Sequence, residues 1–215
     1  MIDILVVDDH ALIRKGLKML LEETPDLKVA GEAETGTQAI KMVREQNFDL
    51  VLLDISLPDK HGTDILKQLK SEHPALKIII LSMYPEDQYG VRVLRAGAMG
   101  YINKQSAPGK LVGAIKQVIG GKKYISPMLA EQLLNNLMGD SQELLHQTLS
   151  NREFQTLCQM ASGHSLTEIS EIMTLSPKTV SVYRARMLEK MGFKNNAEAV
   201  HYAISHHLVD SKLTS

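Results

Sequence analysis

Two aspartates stand side by side at the end of an apolar run: "ILVVDD" carries Ile4 through Val7 straight into Asp8 and Asp9. A third, Asp54, closes "LVLLD", Ser82 closes "KIIILS", and Lys104 follows "MGYIN". Each of these residues falls where a buried strand is expected to run out. Adjacent like charges at such a place raise repulsion and desolvation together. A cation offsets that cost, and hard oxygen donors, few in number and open to water, suit Mg2+. A carboxylate beside a divalent cation and a lysine is a phosphoryl acceptor site. Asp54 would be the nucleophile, forming an aspartyl phosphate, with Lys104 and the Ser82 hydroxyl on the equatorial oxygens.

A second set of candidates lies in "PKTVSVYRARMLEKMGFK", residues 177–194, where Lys178, Arg184, Arg186, Lys190 and Lys194 stand against the single acid Glu189. The whole chain carries a net charge of only −1, so this is a local basic patch and not a global one. A basic helix that follows a capped helix and a short turn fits helix-turn-helix recognition of double-stranded DNA. Arg184, Arg186 and Lys190 would neutralise phosphates. The helix start, with Lys178, Thr179, Ser181 and Val182, would face base edges. Ile169 and Ile172 on the first helix, with Val180, Tyr183 or Met187 on the second, have spacings that can form one small core.

The elements that must position these residues follow two grammars. From Ile2 to about Gly120, short apolar runs alternate with amphipathic stretches: five strand candidates, "IDILVV", "LKVAGEA", "LVLLD", "KIIILS" and "MGYIN", each followed by a helical pattern. Repeated strand-then-helix units with right-handed crossovers predict a doubly wound five-stranded parallel sheet covered on both faces, an α/β sandwich. Ligands then sit beyond the carboxyl ends of the strands, at the switch in strand order. If the first and third strands are neighbours, Asp8, Asp9 and Asp54 converge on one pocket. Gly120-Gly121 reads as a helix stop. Beyond it the strand signal disappears. "PMLAEQLLNNLM" predicts a connecting helix and "GDSQELLHQ" a polar linker suited to a hinge. Ser150 with Glu153, Ser165 with Glu168, Ser176 before Pro177, and Asn195 with Glu198 mark four helix starts, hence a small all-α domain of four helices. The expected division is 1–122, a linker with a helix at 123–148, and 149–215.

The residues that carry the chemistry resemble known families. Residues 1 to about 122 resemble a response-regulator receiver domain, a flavodoxin-like fold, through Asp8-Asp9, Asp54 in "LLDISLPDKHG", Ser82 in "ILSMY", and Tyr101 with Lys104 in "GYINK". The resemblance implies Mg2+ held by Asp9, Asp54 and the backbone carbonyl of Ser56, with Asp8 assisting through water. It implies that Asp54 takes its phosphoryl group from a phosphohistidine on a sensor histidine kinase. It also implies that Ser82 shifts toward the phosphate while Tyr101 turns inward as a switch. Gln105 departs from the pattern, in which proline or a small residue often follows the lysine. Residues 149 to about 208 resemble the LuxR-type helix-turn-helix, so the whole chain resembles the NarL/FixJ class of response regulators, with "PKTVSVYRARMLEKM" closest to its GacA/UvrY-like members. Ser181 stands where that family often has lysine or asparagine, and Tyr183 where histidine is frequent. A homodimer on phosphorylation is the expectation, because one small helical domain buries little DNA.

Other features bound the reading. Cys158 is the one cysteine of 215 residues, so no internal disulfide forms, and "MIDILVVDD" lacks the basic start of a signal peptide. No apolar stretch reaches the roughly 20 residues that span a bilayer. A cytoplasmic protein, without membrane association, is expected. His10 is read as a rim residue of the acid pocket and not as a ligand. His206 and His207 are read as facing solvent, Cys158 as core, and Met19, Met42, Met160, Met173, Met187 and Met191 as packing. Two rivals carry less weight. A phosphohydrolase of the haloacid dehalogenase kind uses an aspartyl nucleophile, but in a D-x-D motif on the first strand. A phospho-dependent interaction regulator without a DNA target leaves the basic helix unexplained.

Overall fold

The computed structural model describes residues 1–138, 145–206 and 208–209. The chain divides into two compact units, Met1–Leu134 and Asn135–Ser215. The expected polar linker falls largely on residues 139–144, which lie outside the described residues, as does His207.

The first unit alternates strand and helix: β1 Ile2–Val7, α1 Ala11–Glu22, β2 Leu27–Ala33, α2 Gly36–Glu45, β3 Leu50–Asp54, α3 Gly62–Glu72, β4 Lys77–Ser82, α4 Glu86–Arg95, β5 Gly100–Asn103 and α5 Ala107–Ile119. The strands form one parallel sheet in the order β2-β1-β3-β4-β5. Hence β1 and β3 are neighbours, and the order reverses at β1. Leu50 to Leu53 on the central strand are wholly buried, as a strand covered on both faces must be. Side chains alternate across the sheet. One face, with Ile4, Val6, Leu50, Leu52, Ile79 and Leu81, shares a core with Leu17 and Leu21 of α1 and Leu111 and Ile115 of α5. Asp59 ties the loop after β3 to the start of α2: its carboxylate accepts from the backbone N–H of Gly36 and of Thr37 at 2.8 Å each.

The chain after α5 stays with this unit. Gly120 and Gly121 end the helix, Gly121 with φ +83. Tyr124 then bridges to Gly100 on the edge strand β5, its N–H bonded to the Met99 carbonyl at 2.8 Å. Helix α6, Pro127–Met138, follows. Its Leu129 is fully buried and its methyls lie against Gly90 of α4, where a Cβ would meet them at 2.8 Å. The stretch to Leu134, read from sequence as the start of a linker, therefore belongs with the first unit, held to β5 by Tyr124 and to α4 by Leu129.

The second unit contains a short 3-10 turn at Leu145–Thr148 and helices α7 Asn151–Ala161, α8 Leu166–Ile172, α9 Pro177–Met191 and α10 Asn196–Ser205. All four expected caps are present. Ser150/Glu153 and Ser165/Glu168 make full capping boxes, Ser176 accepts from the Thr179 N–H, and Asn195 from the Glu198 N–H. Phe154, Leu157, Ile169, Val180 and Met187 form the interior, with Cys158 also buried. Two packing expectations fail. Ile172 is 45% exposed and Met19 is 62% exposed. Each belongs to a helix whose other apolar residues already fill the inward stripe: Leu17 and Leu21 on α1, Ile169 on α8.

Candidate functional site

Val7 pairs with Leu53 across β1 and β3, so the residues beyond them emerge side by side. Asp54 ends β3 and Asp8 follows β1; both are buried, 2% and 1% exposed. Lys104 comes from the 3-10 turn after β5 and inserts its ammonium between them, 2.6 Å from Asp8 Oδ2 and 2.7 Å from Asp54 Oδ2. Asp9 sits at the rim, its side chain about one-third exposed at 34%. Three carboxylates against one ammonium leave the pocket short of positive charge. One donor atom from each of Asp8, Asp9, His10 and Asp54 lies within 4.8 Å of every other, a cluster that fits around a single divalent cation.

Burial pushes the Asp54 carboxyl up to about 6; the Lys104 ammonium pulls against that rise, and the Asp8 charge adds to it. The Ser56 backbone N–H also donates to Asp54 and works with Lys104. For Lys104, burial acts to lower the ammonium, but the Asp54 and Asp8 carboxylates prevail and hold it above its ordinary value. Ser56 itself is exposed and bridges to His61 across the loop. Gly62, at the start of α3, lies so close to the Asp54 carbonyl and Ile55 that a Cβ has no room. The loop can therefore close down over the acidic strand end only with glycine there.

Ser82 ends β4 and is fully buried. Its Oγ accepts from the Tyr84 backbone N–H at 3.0 Å. Tyr101, 2% exposed, points inward and donates its phenol to the Tyr84 carbonyl at 2.8 Å. Burial pushes that phenol well above its usual range, against a hydrogen bond from Ser82 and with the charges of Glu86, Asp54 and Asp87 adding to the rise. Ser82, the Tyr84 loop and Tyr101 thus form one hydrogen-bonded chain beside the acid pocket.

One residue near the pocket, Arg14, is not singled out by the sequence, and a second, His10, makes closer contacts than its reading as a rim residue implies. Arg14 is buried and donates Nη1 to the Asp8 carbonyl at 2.8 Å while Nη2 pairs with Glu34 at 2.5 Å. The signal was available: Arg14 falls on the stripe of Leu17 and Leu21, and an arginine on a buried stripe needs acceptors. His10 was read as a rim residue, and its ring is indeed 63% exposed, yet its Nδ1 lies 2.7 Å from Asp9 Oδ1 and 3.2 Å from Asp8 Oδ1.

In the second unit α8, a turn and α9 give the expected helix-turn-helix. Lys178, Val182 and Arg186 are all exposed and spaced by four, so they share one stripe of α9. Thr179, Ser181 and Arg184 are half-buried, and Thr179 shares a hydroxyl hydrogen bond with Ser176 at 2.8 Å. Lys190 differs from the expectation of a free phosphate contact. Its Nζ pairs with Glu153 at 2.7 Å, and that glutamate side chain is 4% exposed. The same Glu153 oxygen accepts from the Ser150 N–H at 2.7 Å, so one carboxylate closes a capping box on α7 and fastens α9 to it. Burial acts to raise the Glu153 carboxyl, but Lys190 and Ser150 together hold it below its ordinary value.

The chain is similar to known proteins over its whole length. Residues 4–116 match the response regulator receiver domain, and residues 147–203 match the bacterial regulatory proteins of the luxR family. The chain is 38% identical over 216 residues to response regulator UvrY of Escherichia coli (strain K12), covering 100% of this chain and 99% of that protein. It is 36% identical over 212 residues to response regulator GacA of Pseudomonas aeruginosa, covering 98% and 99%. Among solved structures, RcsB of Salmonella enterica serovar Typhimurium bound to promoter P1flhDC in the presence of the phosphomimetic BeF3- superposes with a TM-score of 0.64, at 27% identity, over 95% of this chain and 98% of that one. A LuxR-family two-component response regulator from Aurantimonas sp. SI85-9A1 gives a TM-score of 0.60 at 30% identity, over 65% and 99%. No helix among the described residues is long and apolar enough to cross a membrane.

Proposed function

We propose, for a chain that belongs to the response regulators built from a receiver domain and a LuxR-type regulatory domain, that Asp54 is its phosphoacceptor and that, on its DNA, Lys178 and Val182 face base edges while Arg186 neutralises a phosphate. The observation that carries the first part is the Lys104 ammonium held within 2.7 Å of both Asp8 and Asp54, at the ends of three strands. Asp54 is aimed out of a strand end and its neighbours are fixed, so little reorganisation precedes attack. Its carboxylate oxygen would attack the phosphorus of a phosphohistidine on a sensor kinase, the P–N bond would break, and the imidazole, already protonated on its other ring nitrogen, would leave as the neutral ring. Lys104 then balances charge on the transferred oxygens, and the Ser82 hydroxyl turns from Tyr84 and Tyr101 to donate to them. Mg2+, when held by Asp9, Asp54 and the Ser56 carbonyl with Asp8 assisting through water, would supply further positive charge to those oxygens. The donor set of three carboxylates around one ammonium is what supports that ion.

The chain works as a switched regulator of transcription. A cytoplasmic setting is in keeping with a single, buried and free cysteine, and the RcsB structures bound to DNA, including one of two dimers on two parallel DNAs, support a dimer on double-stranded DNA. Phosphorylation would favour that dimer. Incubation with acetyl phosphate and Mg2+ should add one base-labile phosphoryl group to the wild type and none to Asp54→Asn. Light scattering and DNA mobility shifts on the same samples should then show a larger species and tighter binding only where the label is present. An Asn variant that labels equally well removes Asp54 from the role.

A further inference from the structure

We propose that His10 is a ligand of the cation pocket, and that its imidazole makes this a nitrogen–oxygen site which holds Co2+, Ni2+ or Zn2+ more tightly than a carboxylate site would. The inference rests on the reading of Asp8, Asp9 and Asp54 as a divalent-cation pocket. Its own observation is geometric. His10 Nδ1 lies 2.7 Å from Asp9 Oδ1 and 3.2 Å from Asp8 Oδ1. Metal–ligand bonds of roughly 2.0–2.2 Å put neighbouring octahedral ligands about 3 Å apart. The two measured separations bracket that edge, and Asp54 completes a group whose donor atoms all fall within 4.8 Å.

The local backbone sets the ring in place. His10 is the extended N-cap residue of α1, with φ −87 and ψ 106, and its side chain makes no cap hydrogen bond to the helix. Its N–H instead donates to Asp8 Oδ1 at 2.9 Å, so the backbone of the turn is pinned to the pocket. The ring stands at the open side, 63% exposed, where an arriving hydrated ion meets it first. With the proton on Nε2, the Nδ1 lone pair faces the same point as the carboxylate oxygens. Carboxylate and water oxygens suit Mg2+, whereas an added imidazole shifts preference toward the later divalent transition ions. A hydrogen bond from Nδ1–H to Asp9 is the competing account. It makes His10 a positioning residue that helps every cation alike.

The test uses full-length protein, calorimetry and the visible absorption of Co2+, with Mg2+ as competitor. Wild type should bind Co2+ at one site from which Mg2+ displaces it. His10→Ala, and His10→Gln, which keeps a side-chain donor but no imidazole, should each weaken that Co2+ site by at least about tenfold. Mg2+ affinity should stay within roughly threefold in both variants. Equal losses for both ions make His10 a positioning residue and overturn the ligand role. So do unchanged Co2+ affinity in the variants and Co2+ that Mg2+ cannot displace, which sits on other histidines. A wild type that binds no Mg2+ sinks the pocket reading along with the inference; Mg2+ binding with an unaltered Co2+ site sinks only the inference.

Discussion

The two units handle charge in opposite ways. In the first, the working charges are buried and few: Asp8 and Asp54 are nearly inaccessible and share a single ammonium. In the second, the charges proposed to meet DNA lie on an exposed stripe of α9, and Lys190, which is tied down, is tied to a carboxylate of its own unit. A buried cluster has to be complete to be tolerated, since an unpaired buried charge costs far more than an exposed one. It therefore behaves as a unit, and removing one member changes all the others. Exposed cations are each worth little to the fold, and they can be given up to a ligand one at a time.

The largest consequence falls on Lys104. Replacing it with Met leaves Asp8 and Asp54 facing each other without compensation. The metal-free chain should lose about 3 kcal/mol in urea unfolding at pH 7.5, and added Mg2+ should restore part of it. The loss should shrink at pH 5, where one carboxyl is protonated. An equivalent change on the α9 stripe, Arg186→Ala, should move stability by less than about 0.5 kcal/mol. Similar losses for the two would erase the contrast between the units.

The next effect is a pH dependence of opposite sign to that of most carboxylates. Burial lifts Asp54 from an ordinary 3.8 to about 6 in the folded, metal-free chain. The folded state thus binds the proton more tightly than the unfolded one. The associated stability is fully present below 3.8 and is lost as pH rises through about 6. Metal-free wild type should therefore be less stable at pH 7.5 than Asp54→Asn, by on the order of 2 kcal/mol. Mg2+ should stabilise the wild type more at pH 7.5 than at pH 5, because proton and cation compete for the same oxygens. Thermal unfolding at the two pH values, with and without Mg2+, measures both. A wild type whose Mg2+ stabilisation is flat across this range has an Asp54 of ordinary acidity.

The pair at Glu153 and Lys190 sharpens the second half of the comparison. The basic run of α9 points Lys190 at a phosphate, but its ammonium is engaged with Glu153. Lys190→Met should cost about 1 kcal/mol of stability in the second unit, since it strips a partner from a carboxylate that also closes a capping box. Glu153 is held low, so the pair's contribution is present above the ordinary 4.5 and disappears as pH falls through the lower folded value. In DNA titrations against salt, Arg186→Ala should flatten the slope of log affinity by about one, while Lys190→Met leaves it close to wild type. A slope change for Lys190 as large as that for Arg186 returns it to the DNA-contacting set.

What could be read from the sequence follows the same division. The strands of the first unit were legible because each is a short apolar run with abrupt ends, and their carboxyl-terminal residues were legible as a pocket once strand order was supposed. That the order brings β1 beside β3 is a property of the sheet. Helix starts in the second unit were legible because capping is local: each Ser or Asn meets its partner three residues on. Pairings across the fold were not. Nothing near Lys190 in sequence points to Glu153, and nothing near Arg14 points to Glu34. Met19 and Ile172 look like core because apolar residues at helical spacing usually are, but a helix stripe has a finite width.

The smallest effect separates conformational strain from contact. Helix α9 ends with Gly192 at φ +68, where the N–H of Phe193 bonds to the Leu188 carbonyl and that of Gly192 to Glu189. Helix α8 ends by the same two bonds, Leu175 to Ser170 and Thr174 to Glu171, but with Thr174 at φ +53. It is the single non-glycine with positive φ among the described residues. A β-branched side chain in the left-handed region crowds the backbone, at a cost of roughly 1–2 kcal/mol. Glycine relieves that strain while adding entropy to the unfolded chain. Thr174→Gly should therefore stabilise the second unit by about 0.5–1 kcal/mol, with Thr174→Asn between the two. Thr174 is exposed and its turn is closed by backbone bonds, so the gain should come without loss of the exposed stripe on α9 proposed to meet DNA. Urea unfolding and DNA titration on the same three proteins decide this. A glycine variant that is no more stable shows that the threonine's local bonds offset its strain. One that is more stable but binds DNA more weakly makes the strained turn a part of how α9 is presented.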